Sequence, residues 1–176
     1  IGGKHITGGT LDDIFCQKDF FHKPWTFSFW VYQNAVSYNT LQILAMFGSA
    51  TGTDVNTLRI YIDDGRVWVR SRGVAQSDET FMYTSAALWS ADEWVHIVVQ
   101  QVRGYKIDGA QNGPWRAYVN GNLMNWVGNV KNGTPLNVFD GLGGQNFVVI
   151  GGGADAFGDS ALAYSFNGYM AEFAAW

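Results

Sequence analysis

Apolar and polar residues alternate with a period of two along most of the chain. Leu58, Ile60 and Ile62 alternate with Arg59, Tyr61 and Asp63. Val67 and Val69 alternate with Arg66, Trp68 and Arg70, and Val95, Ile97 and Val99 with His96, Val98 and Gln100. That period places successive side chains on opposite faces of a β-strand. Trp25, Phe27, Phe29 and Val31 alternate with Thr26, Ser28, Trp30 and Tyr32, so both faces are apolar, as in a central strand covered on both sides. Further strands are expected over 40–47, 80–85, 147–150 and 169–175. No segment sustains helical spacing, and the pattern predicts an all-β protein.

Two dipeptides set the pairing. Asp64-Gly65 separates 58–63 from 66–70, and Asn120-Gly121 separates 115–119 from 122–126. Both favour the two-residue type I′ hairpin, which needs positive φ at both central positions. The first hairpin then pairs Asp63 with Arg66, Ile62 with Val67, Tyr61 with Trp68, Ile60 with Val69 and Arg59 with Arg70. Its apolar pairs share one face, so pattern and turn agree on register. The second hairpin is expected to pair Val119 with Asn122, Tyr118 with Leu123, Ala117 with Met124 and Trp115 with Trp126. Strands so spaced, joined by Gly/Asn/Asp turns, predict an antiparallel β-sandwich or barrel. The glycine-rich segments 1–10, 48–53, 129–135 and 141–144 read as loops. There is no repeat or shift in composition, so residues 1–176 are expected to form one domain.

Composition narrows the function classes. Of the 176 residues 47% are hydrophobic and only 15% charged, with 8 Trp, 8 Tyr and 12 Phe. This apolar content and a net charge of −4 exclude a disordered chain and argue against nucleic acid as a partner. No apolar run is long enough for a membrane-spanning helix, so no membrane insertion is expected. Cys16 is the sole cysteine and reads as a small buried hydrophobe. The chain begins at Ile1 without a charged-then-apolar leader, which fits a processed protein or a domain of a longer polypeptide.

Several segments resemble a known family. Trp25–Val31 is similar to the "FTISFW" strand of the concanavalin A-like lectin/glucanase jelly roll, in its laminin-G-like and pentraxin-like branch. Asp92–Val99 resembles that branch's "W-x-H-[IV]-x-[VF]" strand, and Arg116–Leu123 its "LYVNGxL" hairpin. Val149–Gly152 followed by Phe166–Phe173 resembles its "IGG…F-x-G-x-I-D-E-[VF]" segments. The matches occur in family order over roughly residues 12–176. The resemblance implies a concanavalin A-like jelly roll of two curved antiparallel sheets, usually a recognition module. Function does not follow from it, because this scaffold carries lectins, glycosidases, adhesion domains and structural modules. The family's Asp before the last-strand Glu is Ala171 here, leaving only Glu172 for whatever that carboxylate supports in relatives.

Glycoside hydrolysis needs two carboxylates about 5–9.5 Å apart. Glu79, Glu93 and Glu172 are the only glutamates, and none has an acid two residues away as the superfamily's glucanases do. No Gly-x-Ser-x-Gly elbow accompanies His5, His22 or His96, and His96 reads as a hydrogen-bonded sandwich residue. The chain is therefore expected not to be an enzyme. Calcium is the candidate cofactor, with Asp155 and Asp159 as candidate ligands; Asp140 with Asn146, and Asp12 with Asp13, are further acidic clusters. Solvated acidic turns explain the same residues.

The second face of the first hairpin carries Arg59, Tyr61, Trp68 and Arg70, continued by Arg72. Like charges directly opposite are destabilising unless an anion or carboxylate relieves them. An aromatic pair offers a platform for a sugar ring, and guanidinium forks donate to hydroxyls, carboxylates or sulfates. Two readings stand for this face. One is a glycan- or partner-binding patch. The other is a structural cross-strand pair whose arginines are satisfied by solvent, Asp63, Asp54 or a neighbouring subunit.

The function expected from these features is a non-catalytic, lectin-like recognition or adhesion module. It would bind a glycan or a protein surface partner, outside a cell or on a virion. Alternatives are a structural virion component, as a homo-oligomer or assembled with other structural proteins, and a glycosidase with loop-borne acids. Trp25, Phe27, Phe29, Trp94, Trp115 and Phe173 are assigned to packing, and Tyr61 and Trp68 remain as surplus aromatics.

Overall fold

The computed structural model describes residues 4–6, 24–34, 41–49, 57–72, 79–85, 87, 91–101, 115–130, 146–152 and 166–176. All regular elements among them are strands: β1 (Lys4–Ile6), β2 (Thr26–Gln33), β3 (Gln42–Ser49), β4 (Thr57–Asp63), β5 (Arg66–Arg72), β6 (Glu79–Thr84), β7 (Trp94–Gln101), β8 (Trp115–Val119), β9 (Asn122–Leu123), β10 (Trp126–Val130), β11 (Asn146–Ile150) and β12 (Gly168–Ala175). They form a seven-stranded sheet, β1-β11-β3-β4-β5-β6-β10, and a five-stranded sheet, β12-β2-β7-β8-β9. Every pairing is antiparallel.

One face of each sheet contributes to a shared core. Phe27, Phe29, Val31, Val95, Ile97, Val99 and Ala117 come from the five-stranded sheet; Phe47, Leu58, Ile60, Val67, Val69 and Met82 come from the other. Their alternation follows the sequence pattern, and burying one large side chain contributes about 1.5–3 kcal/mol. Phe27 stacks on Phe47 across the sandwich, with ring centroids 4.7 Å apart.

Both type I′ turns form. Asp64 and Gly65 have φ of 52° and 67°, and Asn120 and Gly121 have 49° and 80°. All five expected pairs of the first hairpin are present. The second hairpin corrects the sequence reading. Its ladder holds Val119 with Asn122 and Tyr118 with Leu123, and the Met124 amide bonds to the Ala117 carbonyl at 2.9 Å. The chain then leaves the sheet, and Trp126 pairs with Thr84 rather than Trp115. A jelly-roll strand can change sheets at such a corner, whereas turn chemistry reports only the residues nearest the turn. The amino-terminal segment is also corrected: Lys4–Ile6 pairs with β11 instead of forming part of a loop. Three residues are too few to carry a period.

Two bulges adjust which face the side chains meet. Between Ile43 and Ala45 the register shifts, so Leu44 and Ala45 both join the core while Ile43 and Met46 face away. In β12 a shift lies between Ala171 and Ala174, and Glu172 adopts φ 52°. The extra residue turns Phe173 inward, where it stacks on Phe27 and Phe29 at 6.0 and 6.2 Å.

Candidate functional site

The outward face of the seven-stranded sheet is built by register. Tyr61 on β4 pairs with Trp68 on β5, which pairs with Tyr83 on β6. The rings stack in one row: Tyr61 and Trp68 have centroids 5.7 Å apart at 14°, and Trp68 and Tyr83 are 4.1 Å apart at 23°. In the adjoining row Met46, Arg59, Arg70 and Phe81 are successive partners. Phe81 lies 6.0 Å from Trp68, tilted by 32°. The Trp68 indole N–H donates to the Asp63 carbonyl at 3.3 Å, fixing the ring's direction.

Burial divides the four residues singled out in the sequence. Arg59 is 1% exposed and Tyr61 5%, so both lie beneath the surface. Tyr61 packs with Ile43 and Met46, and Leu41 and Trp68 close over this second, smaller apolar cluster. Trp68 and Arg70 remain partly exposed. Arg59 and Arg70 are both engaged within the protein. Register brings all four together, but the accessible part is Trp68 and Arg70, with Arg59 and Tyr61 supporting them.

Three further residues join this face, two of them, Tyr83 and Phe81, without having been singled out. Tyr83 and Phe81 extend the aromatic surface, and Arg66 places its guanidinium 5.6 Å from the Tyr83 ring centroid. The Arg66 Nε is shielded from solvent and has no hydrogen-bond partner among the described residues. The signal for Tyr83 and Phe81 was the alternation over 80–85, but joining them to Trp68 requires the β5–β6 register, and no short turn announces it. Asp63 lies at the end of the same hairpin. Burial, and then the charge of Asp64, raise its carboxyl above the ordinary 3.8.

Asp155 and Asp159, the candidate calcium ligands, lie outside the described residues, as do Asp140, Asp12 and Asp13. Among the described residues there is no cluster of three metal-ligating side chains. His96 has a structural role on the five-stranded sheet: its Nε2 lies 2.8 Å from the Ser28 hydroxyl, and its ring stacks on Trp30 at 4.9 Å. Trp94 is corrected from core to surface. It is 47% exposed, because the inward positions of β7 are Val95, Ile97 and Val99.

Comparison with known proteins supplies the wider setting. A laminin-G-type family model, described as concanavalin A-like lectin/glucanases superfamily, matches residues 10–176. No curated protein sequence matches significantly. The CBM40 of the Ruminococcus gnavus IT-sialidase, solved with α2,3-sialyllactose bound, superposes with a TM-score of 0.59 at 18% identity, covering 96% of this chain and 85% of that one. The NanB sialidase of Streptococcus pneumoniae gives a TM-score of 0.68 at 18% identity, over 98% of this chain but 24% of the enzyme. A heptameric SAP-like pentraxin from Limulus polyphemus gives 0.51 at 17% identity, covering 87% of this chain and 63% of that one. At these identities the likeness is one of fold.

Proposed function

Because this chain belongs to the concanavalin A-like lectin/glucanase superfamily as a laminin-G-type domain, we propose that it is a non-catalytic, lectin-like module binding an anionic glycan on the outward face of its seven-stranded sheet. The observation that carries the reading is the juxtaposition of two rows: stacked Tyr61, Trp68 and Tyr83 beside the directly opposed Arg59 and Arg70. Trp68, stacked between Tyr61 and Tyr83 and partly exposed, offers the outer edge of that stack to the apolar side of a pyranose. Arg70 and Arg66 supply donors for its carboxylate or sulfate. The Arg66 guanidinium, 5.6 Å from the Tyr83 ring centroid, adds positive charge beside the stack, while its shielded Nε takes no part in the contact. The sialyllactose-bound neighbour of the same fold is consistent with this ligand class. A module of this kind would act extracellularly, on a cell or virion surface.

The test is a glycan array carrying sialylated, sulfated and neutral glycans, run with and without a calcium chelator. Binding confined to the anionic glycans is expected. Trp68→Ala should lower affinity about tenfold or more with the fold intact, equivalent to ~1.4 kcal/mol. Loss of binding with the chelator would show a calcium requirement, with substitution of Asp155 and Asp159 then testing them as its ligands. Absence of binding to every anionic glycan by the folded protein would defeat the proposal.

A further inference from the structure

A second aromatic surface lies on the opposite sheet and does not depend on the reading above. Tyr169, Tyr32 and Trp94 are successive partners across β12, β2 and β7. Their outward position follows from the pleat: Phe27, Phe29 and Val31 of β2, and Val95, Ile97 and Val99 of β7, fill the core. Tyr169 is 52% exposed and Trp94 47%. The central Tyr32 ring is tilted against both, at 55° to Trp94 and 58° to Tyr169. The accessible ring surface therefore belongs mainly to the two outer residues. Core packing does not require them to be aromatic.

A polar row borders this aromatic one. Asn167 precedes Tyr169 by two positions, Asn34 follows Tyr32 by two, and Asp92 precedes Trp94 by two. All three lie just beyond the strand ends, Asp92 in a turn with φ 66°, and three strands span roughly 10 Å. The three polar side chains are exposed. The Asn34 amide donates to the Asn167 side-chain oxygen at 3.3 Å, and the Tyr32 hydroxyl to the Asp92 carboxylate at 3.4 Å. Backbone bonds from Asn34 to the Asn167 carbonyl, at 3.0 Å, and from Asp92 to the Gln33 carbonyl, at 2.9 Å, hold the row in place.

We infer that this surface is a second saccharide site, specific for a neutral sugar. Exposed Trp and Tyr rings pack against the apolar face of a pyranose. The amides can donate and accept as hydroxyls require, and the Asp92 carboxylate accepts from hydroxyl groups while retaining lone pairs beyond its bond to Tyr32. The charge pattern selects the class. Among the described residues neither row contains a cation, and Asp92 repels an acidic sugar. The arginine-bearing face has the opposite bias, so the two sheets would select different sugars. The combined length of the row suits a disaccharide.

The test uses lactose, maltose and cellobiose as neutral probes, titrated into the full chain and followed by backbone amide NMR shifts. At least one probe should shift the amides of 32–34, 92–94 and 167–169, saturably. Trp94→Ala should weaken that binding about tenfold or more, a change expected for loss of a stacked ring. Asp92→Asn separates an acceptor role from charge: it should weaken the neutral probe without introducing sialyllactose at this face. Trp68→Ala should leave the neutral response unchanged, so failure here is distinguishable from failure of the anionic site. The inference is overturned if none of the three probes shifts these amides, if Trp94→Ala binds as wild type, or if the same amides instead report concentration-dependent self-association.

Discussion

Gly168 provides a stringent test of the pairing between β12 and β2. A Cβ placed there would run into the Tyr32 carbonyl oxygen, with the Tyr32 carbonyl carbon and the Phe166 ring edge each 2.9 Å away. Two of those three atoms are backbone of a central strand and cannot rotate aside. Gly168→Ala must therefore lift the start of β12 from β2, straining the Gly168–Gln33 pair and the 3.0 Å bond from Asn34 to the Asn167 carbonyl. Overpacking costs about 1–3 kcal/mol, and each strained hydrogen bond adds about 1. The Ala side chain recovers about 0.5 kcal/mol by restricting the unfolded chain, leaving a net loss of about 3 kcal/mol. Gly121→Ala is the matched control: nothing lies within 4 Å of its added Cβ, but φ is +80°. Its cost is conformational, about 1 kcal/mol. With a urea m-value of about 2 kcal/mol/M, the midpoints should fall by roughly 1.5 M and 0.5 M, read by tryptophan fluorescence. Equal shifts in the two variants would refute the close approach at Gly168.

Two further outcomes follow from the core and from the hairpin end. Phe27→Ala removes a fully buried ring that contacts Trp25, Phe47 and Phe173, and should cost about 3–5 kcal/mol, lowering Tm by roughly 10 °C; a loss below about 2 kcal/mol by calorimetry would contradict its central place. The raised Asp63 carboxyl holds its proton more tightly in the folded state than in the unfolded chain, so its contribution to stability declines as pH rises from 3.8 through the folded value. Asp63→Asn removes that decline, and paired urea curves across this range should show the two proteins diverging in slope; a pH-independent difference between them would contradict the assignment.

The legible parts of the sequence were those in which a local rule acts alone. Asp64-Gly65 determined five cross-strand pairs because a two-residue turn leaves no freedom of register. Asn120-Gly121 acted over a shorter distance, because β9 ends at Leu123 and the next strand belongs to the other sheet. The Tyr61–Trp68 pair was visible for the same reason as the turn. Its extension to Tyr83, and the burial of Arg59, depend on neighbours that are distant in sequence. Trp94 was misread because it falls within a strand motif whose other large residues fill the core, whereas its parity with His96 directs it outward. Glu172 shows a further limit: an exposed residue with φ 52° re-phases a strand, and nothing in its side chain signals that role.

The placement of β2 has a consequence for how the chain acquires its structure. One edge of β2 is covered by β7, as in Thr26 with Gln100, and the other by β12, as in Phe27 with Ala175. Reciprocal backbone bonds of 2.8 and 3.1 Å join Thr26 to Trp176. Both neighbours lie far downstream, and such nonlocal pairings slow refolding into the range of milliseconds to seconds. During synthesis, Phe27, Phe29 and Val31 emerge well before either flanking strand exists. A nascent β2 is thus an apolar segment with two open edges, the kind of species that chaperones hold and that aggregates at high concentration. The order in which the strands are made, rather than their hydrophobicity, sets how long that exposure lasts.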